Sequence, residues 1–163
     1  MPRTLLLGLG NPLLGDDGLG WKIAESVQHA LAETQSLITN HQSLEIDFVS
    51  VGGLALMERM VGYDRAIVID AVETGGPVGA VTCFDLSALP DHAAGHTAAP
   101  HDATLQTAVR LGRQLGAHLP ACITIIGVEA RNLYEFTETL TPEAQAVIPR
   151  ATRLVLDLLE ALS

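Results

Sequence analysis

Basic residues are scarce in this chain: nine Lys and Arg face nineteen Asp and Glu over 163 residues, a formal charge of −10. A surface that acidic repels phosphate backbones and anionic headgroups, which argues against nucleic-acid and membrane partners. Aromatic residues are few as well, one Trp, two Tyr and three Phe, so the core has to be aliphatic. No apolar run approaches the roughly 20 residues that a bilayer crossing needs. The chain passes directly from Met1-Pro2-Arg3 into "TLLLGLG", without signal-peptide architecture. Only Cys83 and Cys122 occur, far apart and outside any CxxC unit. Both are expected to be buried thiols in a reducing cytoplasm.

What is present alternates strand with helix. "RTLLLGLG", "LEIDFVSV", "DRAIVIDAV", "VTCFDL" and "ACITIIGV" read as five strands. Helical spacing recurs over 18–33 (Ile23, Val27, Ala30, Leu31), in the short "GGLALMERMVG", and over 100–115 (Leu105, Ala108, Val109, Gly112, Leu115). The last helix has Thr141 as N-cap and Pro142 in its first turn, with Pro149 expected to kink or split it. Its core stripe is Ala151, Leu154, Val155, Leu158, Leu159 and Leu162. Leu86 to Ala99 reads as a long loop. The pattern implies one α/β domain over residues 1–163: a three-layer sandwich whose five-stranded, twisted, mostly parallel sheet carries helices on both faces. The short gap between the third and fourth strands suggests a hairpin and one antiparallel pairing.

"LLLGLGNPLLGDDGLG", Leu5 to Gly20, sits at the first strand-to-helix turn. A dinucleotide fingerprint would place its third glycine at position 13, which is Leu13. A P-loop would open the helix with Gly-Lys-Ser/Thr, where this chain has Asp16-Asp17-Gly18. Two carboxylates stand where a phosphate would dock. One Asp suffices to cap a helix, so Asp16 is assigned the cap and Asp17 the free carboxylate facing the carboxyl ends of the strands. Asp70, closing "AIVIDA", lies at the same edge, either capping the next loop or supplying a second oxygen ligand. A divalent cation between the two acids would relieve their repulsion. His101, at the expected start of the third helical segment, is kept neutral by the helix N-terminus and so suited to coordination. His92 and His96 fall in the preceding loop, where an i,i+4 pair is not organised as a ligand set. His29, His41 and His118 read as surface or partly packed residues. No G-x-S-x-G, H-E-x-x-H or recommended Cys-His arrangement is present.

"GLGNPLLGDDGLG", "AIVIDAV" and "APHDATL", in this order and spacing, resemble the hydrogenase maturation endopeptidases, as do "TIIGVEA" and "LTPEAQAVIP". The resemblance runs over nearly the whole chain and implies a five-stranded twisted sheet between helices. It implies that Asp17, Asp70 and His101 contact metal and carry catalysis. The implied reaction is removal of a C-terminal extension from a nickel-loaded large-subunit precursor of a nickel-iron hydrogenase. A divalent metal would polarise the scissile carbonyl or lower the pKa of bound water from about 16 towards 7, without a Ser or Cys nucleophile. Nickel is expected to arrive on the precursor, to be sensed by the trio. Asn11, Gly52 and Gly53 are candidate substrate-binding residues, Asn11 serving equally well as a turn former. Many members have an Asp before the paired glycines and a Thr after them, where this chain has Val51 and Leu54. Alternatives are a non-catalytic nickel-binding scaffold of the same fold, a nucleotide-binding module and, remotely, a peptidyl-tRNA hydrolase-like enzyme, with which only "GLGNP" is shared.

Overall fold

A computed structural model of the chain describes residues 2–34, 43–88 and 100–162, with side chains of the last stretch described from 104 onward. The five strands are β1 (Arg3–Leu9), β2 (Ser43–Val49), β3 (Arg65–Val72), β4 (Val81–Asp85) and β5 (Cys122–Glu129). The helices are α1 (Leu19–Thr34), α2 (Gly53–Arg59), α3 (Pro100–Gln114) and α4 (Pro142–Ala161), with 3-10 turns at Gly15–Gly18 and Leu86–Ala88. One sheet has the order β2-β1-β3-β5-β4. Every pairing is parallel except β4 with β5.

The antiparallel pairing is therefore present, but not as a β3–β4 hairpin. β5 inserts between those strands, pairing with β3 on one side and β4 on the other. The reason is burial. Ile123, Ile125, Ile126 and Val128 of β5 are all buried, which demands a central position, whereas β4 is half exposed and suits an edge.

Side chains alternate between two cores. Leu5, Leu7, Ala66, Val68, Ile123 and Ile125 meet α2 and α3 through Leu56, Met57, Leu105 and Val109. Leu6, Ile67, Ile69, Ile126 and Val128 meet α1 and α4 through Ile23, Val27, Val147, Ala151 and Val155. The three-layer arrangement follows. α4 runs unbroken through Pro149, so the expected split does not occur. Proline forfeits one helical hydrogen bond there, while buried Val147, Ala151 and Val155 on either side hold the helix to the sheet. Leu115 lies beyond the end of α3 and is 78% exposed, outside the stripe it was expected to complete.

Neither cysteine is fully buried. Cys83 is exposed on the edge strand, and Cys122 is half-buried with its thiol donating to Asp85 Oδ2 at 3.2 Å. Desolvation is the leading cause that pushes both thiols above their ordinary value, so neither is an activated nucleophile.

The join between β1 and α1 is set by close backbone approach. A Cβ at Gly20 would lie 2.4 Å from both the Leu9 and the Ile69 carbonyl oxygens. The first turn of α1 thus rests on the peptide that precedes Asp70. Gly20→Ala would gain about 1 kcal/mol of helix propensity but force the turn off two strands. The steric effect dominates, and a net loss of about 2 kcal/mol is expected in urea denaturation.

Candidate active site

Open parallel sheets place their sites outside the carboxyl ends of the strands. Here that edge receives the loop 10–18, the β2–α2 loop, the end of β3 and the start of α3. The loop 10–18 is anchored at several points. The Gly10 amide donates to Val49 O at 3.0 Å, and the Ser50 hydroxyl donates to Gly10 O. Gly10 has φ +139°, and a Cβ there would lie 1.9 Å from Asp17 O, so only glycine fits.

The two adjacent acids are used differently. Asp16 is 1% exposed and does not cap its own turn, where no side-chain cap bond forms. Its Oδ1 accepts the Thr141 amide and its Oδ2 the Thr141 hydroxyl, both at 2.7 Å. The same hydroxyl oxygen accepts the Ala144 amide at 3.3 Å and so caps α4. Asp16 is in effect the base of another helix's cap, which corrects its assignment as a local one. Asp17 is partly buried, and its Oδ2 accepts the Asn11 amide at 2.8 Å. That bond orients the carboxylate, so it is held rather than wholly free.

Asn11 is a turn former in this structure: its Oδ1 accepts the Leu13 amide at 3.0 Å and its carbonyl accepts the Leu14 amide. Gly52 is extended, whereas Gly53 takes φ +55° with open space where a Cβ would sit. Val51 and Leu54 beside them are 40% and 53% exposed.

Asp70 is 3% exposed and lies opposite Gly127 in the β3–β5 register, two residues before β3 ends. Strand alternation puts it on the face that carries Ala66 and Val68, the face covered by α2 and α3. His101 is the second residue of α3, at the helix start expected for it. Its side chain, like His41, His92 and His96, lies outside the described residues. His29 and His118 are exposed, and His118 pairs with Asp64 at 3.2 Å. Among the described residues no group of three or more His, Cys, Asp or Glu side chains gathers as a metal site.

One acid at this edge escaped the sequence reading. Glu129 ends β5, is 6% exposed, and accepts the amides of Thr74, Gly75 and Gly76 and the Thr74 hydroxyl. It pins the loop between β3 and β4. "TIIGVEA" carries the signal that "AIVIDA" does, an acid closing a buried apolar strand.

The fold and this edge define a class: a three-layer α/β protein with acidic groups at the carboxyl ends of its strands and no nucleophilic thiol or serine signature. The chain belongs to the hydrogenase maturation protease family, which matches residues 46–158, and is a peptide-bond hydrolase of that kind. It is 27% identical over 152 residues to the hydrogenase expression/formation protein HupD of Rhizobium leguminosarum bv. viciae, covering 92% of this chain and 70% of that one. It is 28% identical over 158 residues to HupD of Thiocapsa roseopersicina, covering 97% and 68%. Among solved structures it resembles the hydrogenase maturating endopeptidase HybD from E. coli, with a TM-score of 0.77, 26% identity and 99% and 94% of the two chains covered. HybD from Thermococcus kodakarensis gives 0.68, 25%, 96% and 98%.

The unequal use of the acids has a measurable consequence. Asp16→Ala empties a buried carboxylate site and strands the half-buried Thr141 hydroxyl and amide, and is expected to cost about 3 kcal/mol in denaturant unfolding. Asp17→Asn keeps an oxygen for the Asn11 amide, and its stability should stay within about 0.5 kcal/mol of wild type.

Proposed function

We propose that the protein removes the C-terminal extension of a nickel-loaded large-subunit precursor of a nickel-iron hydrogenase, recognising the nickel through Asp17, Asp70 and His101. The observation that carries this reading is the placement of Asp17. A single backbone amide fixes it on a loop whose other acid is wholly committed to structure. Asp70 stands on the α3 face of the sheet, and α3 begins at Pro100-His101.

The donor set fits the metal. Carboxylate and imidazole are acceptable nickel ligands, and without a thiolate the set is modest in affinity. It suits an ion that arrives already held by the precursor. Such an ion supplies Lewis acidity at the scissile carbonyl or to a nearby water. The chain's own part is to hold two carboxylates ready without paying reorganisation at the moment of reaction. Burial of Asp70 keeps water from screening it. The low-pKa nucleophile that a thiol protease needs is absent, since both cysteines are shifted the other way.

Val51 faces solvent at 40% exposure, so contact with substrate there is apolar. Among the described residues no helix is long and apolar enough to cross a membrane.

The test is mass spectrometry of the authentic precursor mixed with the protein, with and without nickel loading. Cleavage is expected only with nickel, and Asp17→Asn and His101→Ala are each expected to reduce its rate by about a thousandfold. Metal binding without cleavage would instead indicate the scaffold. Equal cleavage of nickel-free precursor would contradict nickel recognition.

A further inference from the structure

The aromatic residues divide unevenly. Trp21 and Phe48 pack on each other at 5.7 Å, Tyr63 is 7% exposed, and Phe84 lies against the core. Tyr134 and Phe136 are each 81% exposed, and both belong to the loop between β5 and α4. In a chain with six aromatic residues, two so exposed on one short loop are not accounted for by the core.

That loop is bonded to the loop of the candidate site. The Thr137 amide donates to Leu13 O at 2.9 Å, the Gly15 amide to Thr137 O at 2.8 Å, and the Asp16 amide to Asn132 O at 2.7 Å. Leu13, 42% exposed, is therefore the backbone neighbour of the aromatic ribbon, four residues before Asp17. We infer that Tyr134, Phe136 and Leu13 form the docking platform for a segment of the precursor that carries apolar side chains beside Lys or Arg, an inference that rests on the function proposed above.

The occupant's chemistry follows from the platform's. Aromatic side chains offer large, rigid contact area at little entropic cost. They alternate with exposed Glu135, and Glu138 and Glu143 follow against the single Arg131. Apolar contacts would give affinity, and the acids would select a basic segment. A second copy of this chain is a poor occupant. Paired symmetrically it would bring these acids together, on molecules that each carry a charge of −10. The hydrogen bonds to Leu13, Gly15 and Asp16 seat the platform on the same rigid unit as Asp17.

The experiment compares wild type, Tyr134→Ser/Phe136→Ser and Glu135→Gln/Glu138→Gln in two assays: steady-state processing of nickel-loaded precursor, and precursor binding by surface plasmon resonance. Thermal melts check folding, and sedimentation reports oligomeric state. The aromatic variant is expected to raise KM and Kd about tenfold or more and to leave kcat within about twofold. The acid variant should flatten the salt dependence of binding. Unchanged KM and Kd in a folded aromatic variant would overturn the platform while leaving the protease reading intact. A wild-type dimer dissociated by the aromatic substitutions would overturn it in favour of self-association. Platform-dependent binding without cleavage would sustain the docking surface and overturn the proposed function. Failure of wild type to bind the precursor would overturn both.

Discussion

The first turn of α1 sits directly on backbone, with no side chain between. Gly20 meets the carbonyls of Leu9 and Ile69 so closely that one methyl group would separate the layers. Because protein interiors are close-packed, that approach leaves the preceding loop little freedom of position. It also ties the loop bearing Asp17 to the peptide that leads into Asp70. Two carboxylates from distant parts of the chain are thereby referred to one backbone contact. Gly10, packed against the Asp17 carbonyl, repeats the device at the other end of the loop.

Electrostatics then separates the neighbours Asp16 and Asp17. A buried carboxylate requires donors, and Asp16 finds both of its own on Thr141, 125 residues away. The Thr141 hydroxyl gives its proton to Asp16 and its lone pair to α4, so a single side chain serves two structural ends. Asp17 keeps one backbone bond and partial exposure. Identical side chains, adjacent in sequence, are thus divided between one committed to the fold and one left partly exposed at the strand ends. The division arises from which of them the 3-10 turn at Gly15–Gly18 directs inward.

Much of this could be read from residue order. β1, β3 and β5 announced themselves as apolar runs, the start of α3 at Pro100 followed from helical spacing, and that of α4 at Pro142 followed from the Thr141-Pro142 capping chemistry. Asp70 was found because an acid closing a buried strand stands out. Features set by distant partners were not readable. The partner of β4 depends on where β5 inserts, which no local pattern records. Asp16 obeys a local capping rule on paper, yet its donors come from the far end of the chain. Cys83 was expected inside because cysteines usually are, but an edge strand turns one face to water. Glu129 carried the same signal as Asp70, but its role depends on the Thr74, Gly75 and Gly76 amides more than fifty residues away, which no local pattern records.

The proposed contact between Asp17 and the nickel carried by the precursor can be read at the metal itself. The most direct measurement is the nickel K-edge X-ray absorption spectrum of loaded precursor, alone and after rapid mixing and freezing with wild type or Asp17→Asn. Wild type is expected to add oxygen or nitrogen neighbours to the nickel, and the Asn variant, still folded, to add fewer. A nickel shell unchanged by wild-type protein that nonetheless cleaves the precursor would contradict the proposed contact.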